Sequence, residues 1–457
     1  MLSNFRFTAA LSIAGLALIG GCSTSGTLTS ADTTNQTDSL NTSNNAVESV
    51  TKVEASKSID ANNSLSLAPV TNPDPDVSSQ IQDYLKALSA KSFSKSSQGV
   101  WMQSGNNLLA NHQGTIPLPA ASLTKVATTL VALQTLGPDR QFMTKIGVTG
   151  AMENGVLKGD LVVEGGADPL FVWEDAIALG NTLNQMGINK VTGNLIIVGN
   201  FYMNFKTSPI ISGNFLKQGL NSKKWDKKAE KQYLNLPTGT PKPQIEIAGT
   251  VKVMGATPSK LKPLIRHYSF PLAELLKRMN RFSNNYMAEM IASSVGGAKV
   301  VAKKAAELSG VPTSEIQLVN GSGLSIDNRI SPRAICAMFL AIERYLTPHK
   351  MTIGDVFAIV GKDEGTLDKR NLPSLIVVKS GTLDNVSTLA GVFPTQQQGN
   401  VWFAIMNGGK DTDELRIQQE DLIKSFLQNW GEVSSLPVEL SPNPELPTKT
   451  SRNEIVK

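Results

Sequence analysis

Ser122-Leu-Thr-Lys125 opens a run in which Leu123, Val126, Ala127, Leu130, Val131 and Leu133 recur at helical spacing. Pro119 before it and Gly137-Pro138 after it predict a helix from about Ala121 to Leu136. Ser122 and Lys125 lie three apart, so they neighbour each other on one face of that helix. Two further motifs follow in order, Ser283-Asn-Asn285 and Lys379-Ser-Gly381. Together they supply the parts of a serine enzyme that works without histidine and uses an amine as its base. Single copies carry little weight: Ser49-Val-Thr-Lys52, Ser43-Asn-Asn45, Ser104-Gly-Asn106 and Ser212-Gly-Asn214 also fit the first two patterns. Lys-Ser/Thr-Gly occurs once, at 379–381, so order and context carry the reading.

The chemistry follows from the residue types. A serine at a helix N-terminus sits where free N–H groups and the macrodipole favour an alkoxide. Lys125 is a base only when neutral; from an ordinary value near 10.4, neutralising a lysine at pH 7 costs about 4.6 kcal/mol. Burial under an insert and a second cation, Lys379, would lower that cost. Ser283 could carry a proton between Lys125 and a leaving amine, and the Asn285 amide could hold a substrate peptide bond. Gly381 lets a substrate backbone approach the strand, and Ser380 and Thr382, beside Lys379, form a receptor for a free carboxylate. Backbone N–H groups of Ser122 and Thr382 would make an oxyanion hole, typically about 3–4 kcal/mol per donor. Taken singly, Ser122 could merely cap a helix and Ser283-Asn-Asn285 merely break one. The three in ordered contexts argue against that.

Working outward, Gln98 to Gln103 and Asn107 to Asn111 read as strands joined by a Gly-Asn turn. Ser374 to Lys379, Ser387 to Phe393 and Asn400 to Met406 read as three more, followed by an amphipathic helix from Asp413 to Trp430. These predict one antiparallel five-stranded sheet built from both ends of the chain and flanked by helices. Between them, a strand at Gly159 to Glu164, a helix at Trp173 to Met186, and strands at Val191 to Val198 and within Gln244 to Val253 alternate as an inserted α/β domain. Helices resume at Pro271 to Val295 and Ala298 to Leu308. The expected class is α+β, with the main domain at 78–141 and 259–434 and the insert at 142–258.

The ends read differently. Arg6 and the short apolar stretch Leu11 to Ile19, closing on Ile19-Gly20-Gly21-Cys22, predict a lipoprotein signal peptide at 1–21. Cys22 would then carry the lipid that anchors the exported protein to a membrane in the cell envelope. Residues 22–77, rich in Ser, Thr and Asn, predict a disordered tether, and the polar, Pro-rich 435–457 a disordered tail. The other cysteine, Cys336, lies in the apolar Ala334 to Leu340 and predicts a buried thiol. A net charge of +5 with no basic stripe excludes nucleic acid as an expected partner. His112, His267 and His349 are scattered without metal-ligand spacing, so neither metal nor cofactor is expected.

From Gln98 to Trp430 the chain resembles the D-alanyl-D-alanine carboxypeptidase/endopeptidases, class C penicillin-binding proteins of the DacB type. Beyond the three motifs the resemblance rests on Pro119-Ala-Ala-Ser122, Gly159-Asp-Leu-Val-Val163, Gly165-Gly-Ala-Asp-Pro169 and Arg281-Phe-Ser-Asn-Asn-Tyr-Met-Ala-Glu289. Gly321-Ser-Gly-Leu-Ser325, Asn328-Arg329, Ser331-Pro332, Gly365-Thr-Leu367 and Lys379-Ser-Gly-Thr-Leu383 complete it. It implies a penicillin-binding, serine β-lactamase-like transpeptidase fold and hydrolysis of peptidoglycan stem peptides. Ser122 would be the acylated nucleophile, Lys125 its base and Ser283 the relay; Asn285, Lys379, Ser380 and Thr382 would bind substrate, and β-lactams would acylate Ser122. Two departures stand out: an insert shorter than in many members, and Asn320 where an Asp commonly precedes Gly-Ser-Gly-Leu-Ser. A class A β-lactamase is a poorer match, because Glu230 precedes Ser283 and stands one residue too far from Asn235. The rival from another class is a catalytically silent, lipid-anchored protein of the same fold that binds cell wall.

Overall fold

The computed structural model describes residues 65–446 and 450–456. Cys22, the expected signal peptide and the tether as far as residue 64 lie outside the described residues.

The main sheet runs, in spatial order, Ala358–Ile359, Val377–Leu383, Val386–Thr395, Gly399–Gly408, Gln98–Ser104 and Asn107–His112, all pairs antiparallel. The two ends of the chain do meet here, with Trp101 opposite Ala404. There are six strands instead of the expected five, because a two-residue strand, too short to leave a pattern, pairs with Val377 and Val378.

Both faces are covered, so the strands read as near-continuous apolar runs. Alternate residues serve opposite cores. Trp101, Trp402, Ala404, Ala390 and Val392 face the helices Thr124–Leu136, Leu272–Arg281, Asn285–Ser294, Ala298–Ser309 and Pro332–Leu346. Val100, Met102, Phe403, Ile405 and Leu389 face Pro75–Ala90 and Thr412–Trp430. Pro332–Leu346 lies deepest and buries Cys336. Ser331 starts that helix by accepting from the Ala334 N–H at 3.0 Å.

The helical stretch expected over Pro271 to Val295 is two helices. Ser283, at φ 49°, turns the chain between them, and the Asn284 side chain caps the second by accepting from the Met287 N–H at 3.0 Å.

The inserted domain carries a six-stranded mixed sheet in the order Val251–Met254, Leu195–Asn200, Leu161–Gly166, Met143–Val148, Lys262–Tyr268 and Arg452–Ile455. The first three are parallel and the rest antiparallel. A smaller four-stranded sheet lies beside it.

Three expected boundaries are corrected. The insert does not end at 258, because Lys262–Tyr268 pairs with Met143–Val148 and completes its sheet. The tail is not uniformly disordered: Leu440 and Leu446 are buried and Arg452–Ile455 forms an edge strand on the insert. Nor does the tether reach 77. Asp74 caps the helix Pro75–Ala90, and the buried Ala68 donates its N–H to Gln103 Oε1 at 3.2 Å.

Candidate active site

Four segments converge at the open edge of the main sheet. Ser122 lies in a 3₁₀ turn, Ala121–Leu123, two residues before the helix Thr124–Leu136 begins, instead of inside that helix. Ala121 holds φ 46°, a conformation that costs a non-glycine residue free energy and is typical of a functional turn. The turn is clamped from both sides. Thr388 Oγ1 donates to the Ala120 carbonyl at 3.2 Å. Gly323, at φ 88°, packs so tightly that a Cβ there would stand 1.8 Å from the Ala121 carbonyl oxygen.

Lys125 follows one turn later. Its side chain is fully buried, and Nζ donates to Ser122 Oγ at 3.0 Å, Asn285 Oδ1 at 2.7 Å and the Ser322 carbonyl at 2.7 Å. Burial drives its pKa well below 10.5; the charge of Lys379 lowers it further, and Glu289 opposes both. The helix Asn285–Ser294 and the 320–323 turn, instead of the insert, supply two of the three acceptors around the amine. The insert packs against the helical core through Leu170, Val172 and Phe205, the last stacked 6.4 Å from Tyr286.

Lys379, also buried, donates to Ser283 Oγ at 3.1 Å and to the Ser380 carbonyl at 2.6 Å, and burial brings its pKa to about 7. The partners are therefore crossed relative to the motif-by-motif reading. Ser283 hydrogen-bonds Lys379, while Asn285 hydrogen-bonds Lys125. The positive φ of Ser283 produces this crossing, because it turns that hydroxyl toward the strand before the helix carrying Asn285 begins.

Val377–Leu383 pairs on its outer side only at Val377 and Val378, so from Lys379 onward that edge is open. Gly381 backs onto the serine turn: a Cβ there would stand 2.7 Å from the Ser122 nitrogen. An extended peptide could lie along this edge as an added strand, with Ser122 beneath its carbonyl carbon. Thr382 is exposed at the far end, where its Oγ1 accepts from Arg416 Nη2 at 3.0 Å.

Residues that motif reading left without a role complete the support. Glu289 accepts from the Gly321 and Ser322 N–H groups at 3.0 and 2.9 Å, fixing the carbonyl that receives Lys125. Its position on the face of Asn285, four residues on, was the available signal. Asn320 Oδ1 accepts from the Gly323 N–H at 2.8 Å and from Asn328 Nδ2 at 2.9 Å. That task needs only a carbonyl oxygen, so an amide serves where an Asp is common.

Chemically, the cleft holds a hydroxyl within reach of an amine disposed to be neutral, a second amine able to bear the charge, and an open strand edge. Residues 78–209 and 240–429 match the D-Ala-D-Ala carboxypeptidase 3 (S13) family. The chain belongs to that family. It is a serine-type D-Ala-D-Ala carboxypeptidase of the DacB type, among enzymes of the bacterial cell wall.

The D-alanyl-D-alanine carboxypeptidase DacB of Haemophilus influenzae is 22% identical over 414 residues, covering 68% of this chain and 84% of that one. Among solved structures, the predatory endopeptidase Bd3459 of Bdellovibrio bacteriovorus superposes with a TM-score of 0.63 at 21% identity, over 78% of this chain and 99% of that one. Penicillin-binding protein 4 of Haemophilus influenzae gives 0.56 at 20% identity, over 76% and 99%. Both share the fold.

Proposed function

We propose that this carboxypeptidase hydrolyses the terminal D-Ala–D-Ala bond of peptidoglycan stem peptides through an acyl-Ser122 intermediate. The observation that carries the reading is the buried Lys125 amine 3.0 Å from Ser122 Oγ. Lys125 takes the hydroxyl proton as Ser122 attacks the carbonyl carbon. The N–H groups of Ser122 and Thr382 receive the oxyanion. The scissile C–N bond breaks, and the leaving D-alanine nitrogen takes a proton from the Ser283 hydroxyl. Ser283 is replenished from the Lys125–Lys379 pair, which returns the proton first removed. Water then attacks the ester with Lys125 again as base. Asn285, Lys379, Ser380 and Thr382 hold the substrate, with Asn285 also fixing the base. Endopeptidase cleavage of cross-links uses the same acyl group and differs only in the amine released.

β-Lactams acylate the same serine in this reading; the penicillin G-acylated form of Bd3459 supports it. The test is intact-mass analysis after incubation with penicillin G. Wild type should gain one acyl adduct and Ser122→Ala none; equal labelling of the two would remove Ser122 as nucleophile. An unlabelled wild type that still binds purified sacculi would favour the silent wall-binding protein. The anchor is part of the same proposal. Small residues before Cys22 support lipidation there, so a fatty-acid label should enter wild type and not Cys22→Ser. Among the described residues no helix is long and apolar enough to cross a membrane.

A further inference from the structure

Arg416 projects from the first turns of the helix Thr412–Trp430, far in sequence from every motif that marks the cleft. Its Nη2 donates to Thr382 Oγ1 at 3.0 Å, and its Nη1 donates to Asp413 Oδ1 at 2.5 Å. The guanidinium is neither buried nor free: about a third of the side chain is exposed. Behind it, Arg370 donates to the Arg416 carbonyl at 3.4 Å and to Gln419 Oε1 at 3.1 Å, and it pairs with the buried Glu420. The helix start that carries Arg416 is thereby held against the strand bearing Thr382.

The hydrogen-bond polarity is informative. An arginine donates only, whereas a threonine hydroxyl has one proton and two lone pairs. When Arg416 donates to Thr382 Oγ1, a lone pair is taken and the threonine proton remains to donate elsewhere. Thr382 lies on the exposed end of the open edge, beyond Lys379 and Ser380. A proton presented there, polarised by a guanidinium, binds an anionic oxygen more strongly than the neutral oxygen of an amide. Arg416 also brings a guanidinium to the exposed end of the edge, on the far side of Ser380 from the buried amine of Lys379. Asp413 offsets part of that charge, but it is itself largely exposed and lies on the solvent side of the pair.

We propose that Arg416 is a specificity-determining residue. It orients the Thr382 hydroxyl as a donor and supplies fixed positive charge, so that the enzyme selects substrates whose leaving residue ends in a free carboxylate. The inference rests on the reading of the cleft given above.

The experiment compares a peptide ending in D-Ala-D-Ala with the same peptide carrying a C-terminal carboxamide, for wild type, Arg416→Ala and Arg416→Lys. Wild type should prefer the acid. Arg416→Ala should raise KM for the acid about tenfold with kcat changed less than threefold, leave the amide almost unaffected, and so erase most of the preference. Arg416→Lys should restore part of it, because charge returns without the planar fork. Equal losses on acid and amide would show a merely structural residue and overturn the inference, as would an Arg416→Ala that keeps the wild-type preference. A wild type that cleaves neither peptide would instead overturn the reading of the cleft, and the inference with it.

Discussion

Replacing Lys379 by methionine should make the protein more stable and nearly inactive, and the stability gain should vanish at high pH. The buried amine has its pKa drawn from 10.5 to about 7 by burial. The folded state therefore resists a charge that the unfolded state accepts. A gap of that size corresponds to about 5 kcal/mol. Between the folded and unfolded values the unfolded chain binds more protons, so wild-type stability climbs with pH across the window from about 7 to 10.5. Methionine has similar bulk and no charge. It forfeits the hydrogen bonds to Ser283 Oγ and the Ser380 carbonyl, about 1 kcal/mol each. The net expectation at pH 7 is a variant more stable by about 3 kcal/mol. Removing the like charge also relieves Lys125, which pushes in the same direction. Denaturant titrations at pH 7 and pH 10 test this: the advantage should be clear at the first and mostly gone at the second. A variant less stable than wild type at pH 7, or an advantage equal at both pH values, would refute a desolvated lysine at 379.

Three other outcomes follow from the same geometry. The pH profile of kcat/KM should be bell-shaped, rising as Lys125 loses its proton and falling as Lys379 loses its own; a rate that rises without an alkaline limb would remove the charged-receptor role of Lys379. Gly323→Ala, whose Cβ would strike the Ala121 carbonyl at φ 88°, should slow acylation about a hundredfold while the far-UV circular dichroism keeps its shape; an unchanged acylation rate would show that the serine turn is not held from this side. His267, buried 3.7 Å from Asp168 and 3.8 Å from Asp175, has its pKa raised, because the two carboxylates outweigh the opposing effect of burial. Its contribution is full below its ordinary value of 6.5 and is lost as pH rises through the higher folded value, so the stability gap between wild type and His267→Gln should shrink between pH 6 and 9; a constant gap would refute it.

What could be read in advance depended on whether a feature is local. The helix after Ser122 and the buried strands announce themselves through periodic apolar residues, and two of the three motifs lie on or beside them. The crossed pairing of Ser283 with Lys379 and Asn285 with Lys125 could not be read, because it turns on one backbone angle at Ser283. The edge strand Arg452–Ile455 was equally hidden. Three of its four residues are exposed, its side-chain partners, such as His267 for Asn453 and Arg266 for Glu454, lie far away in sequence, and its composition looks like that of a tail. Arg416 escaped notice because a cation on an amphipathic helix is ordinarily solvated, and only the packing of that helix on the sheet brings it to Thr382.

Two buried lysines in one cleft look like a liability until the order of their protons is considered. Burial disfavours the charged form of both amines, and at Lys125 the charge of Lys379 adds to it while Glu289 opposes it. With the shared proton on Lys379, Lys125 is a neutral base facing a charged receptor. A carboxylate arriving at Ser380, Thr382 and Arg416 stabilises the charge on Lys379, whose own strand carries two of those groups. Once that proton is fixed, its charge continues to hold Lys125 neutral, since Lys125 is turned toward Asn285 and Ser322 on the other side. Recognition of the substrate's tail and activation of the base are then one electrostatic event. A ligand without a carboxylate would meet a base that is neutral less often as well as a receptor that grips it less tightly.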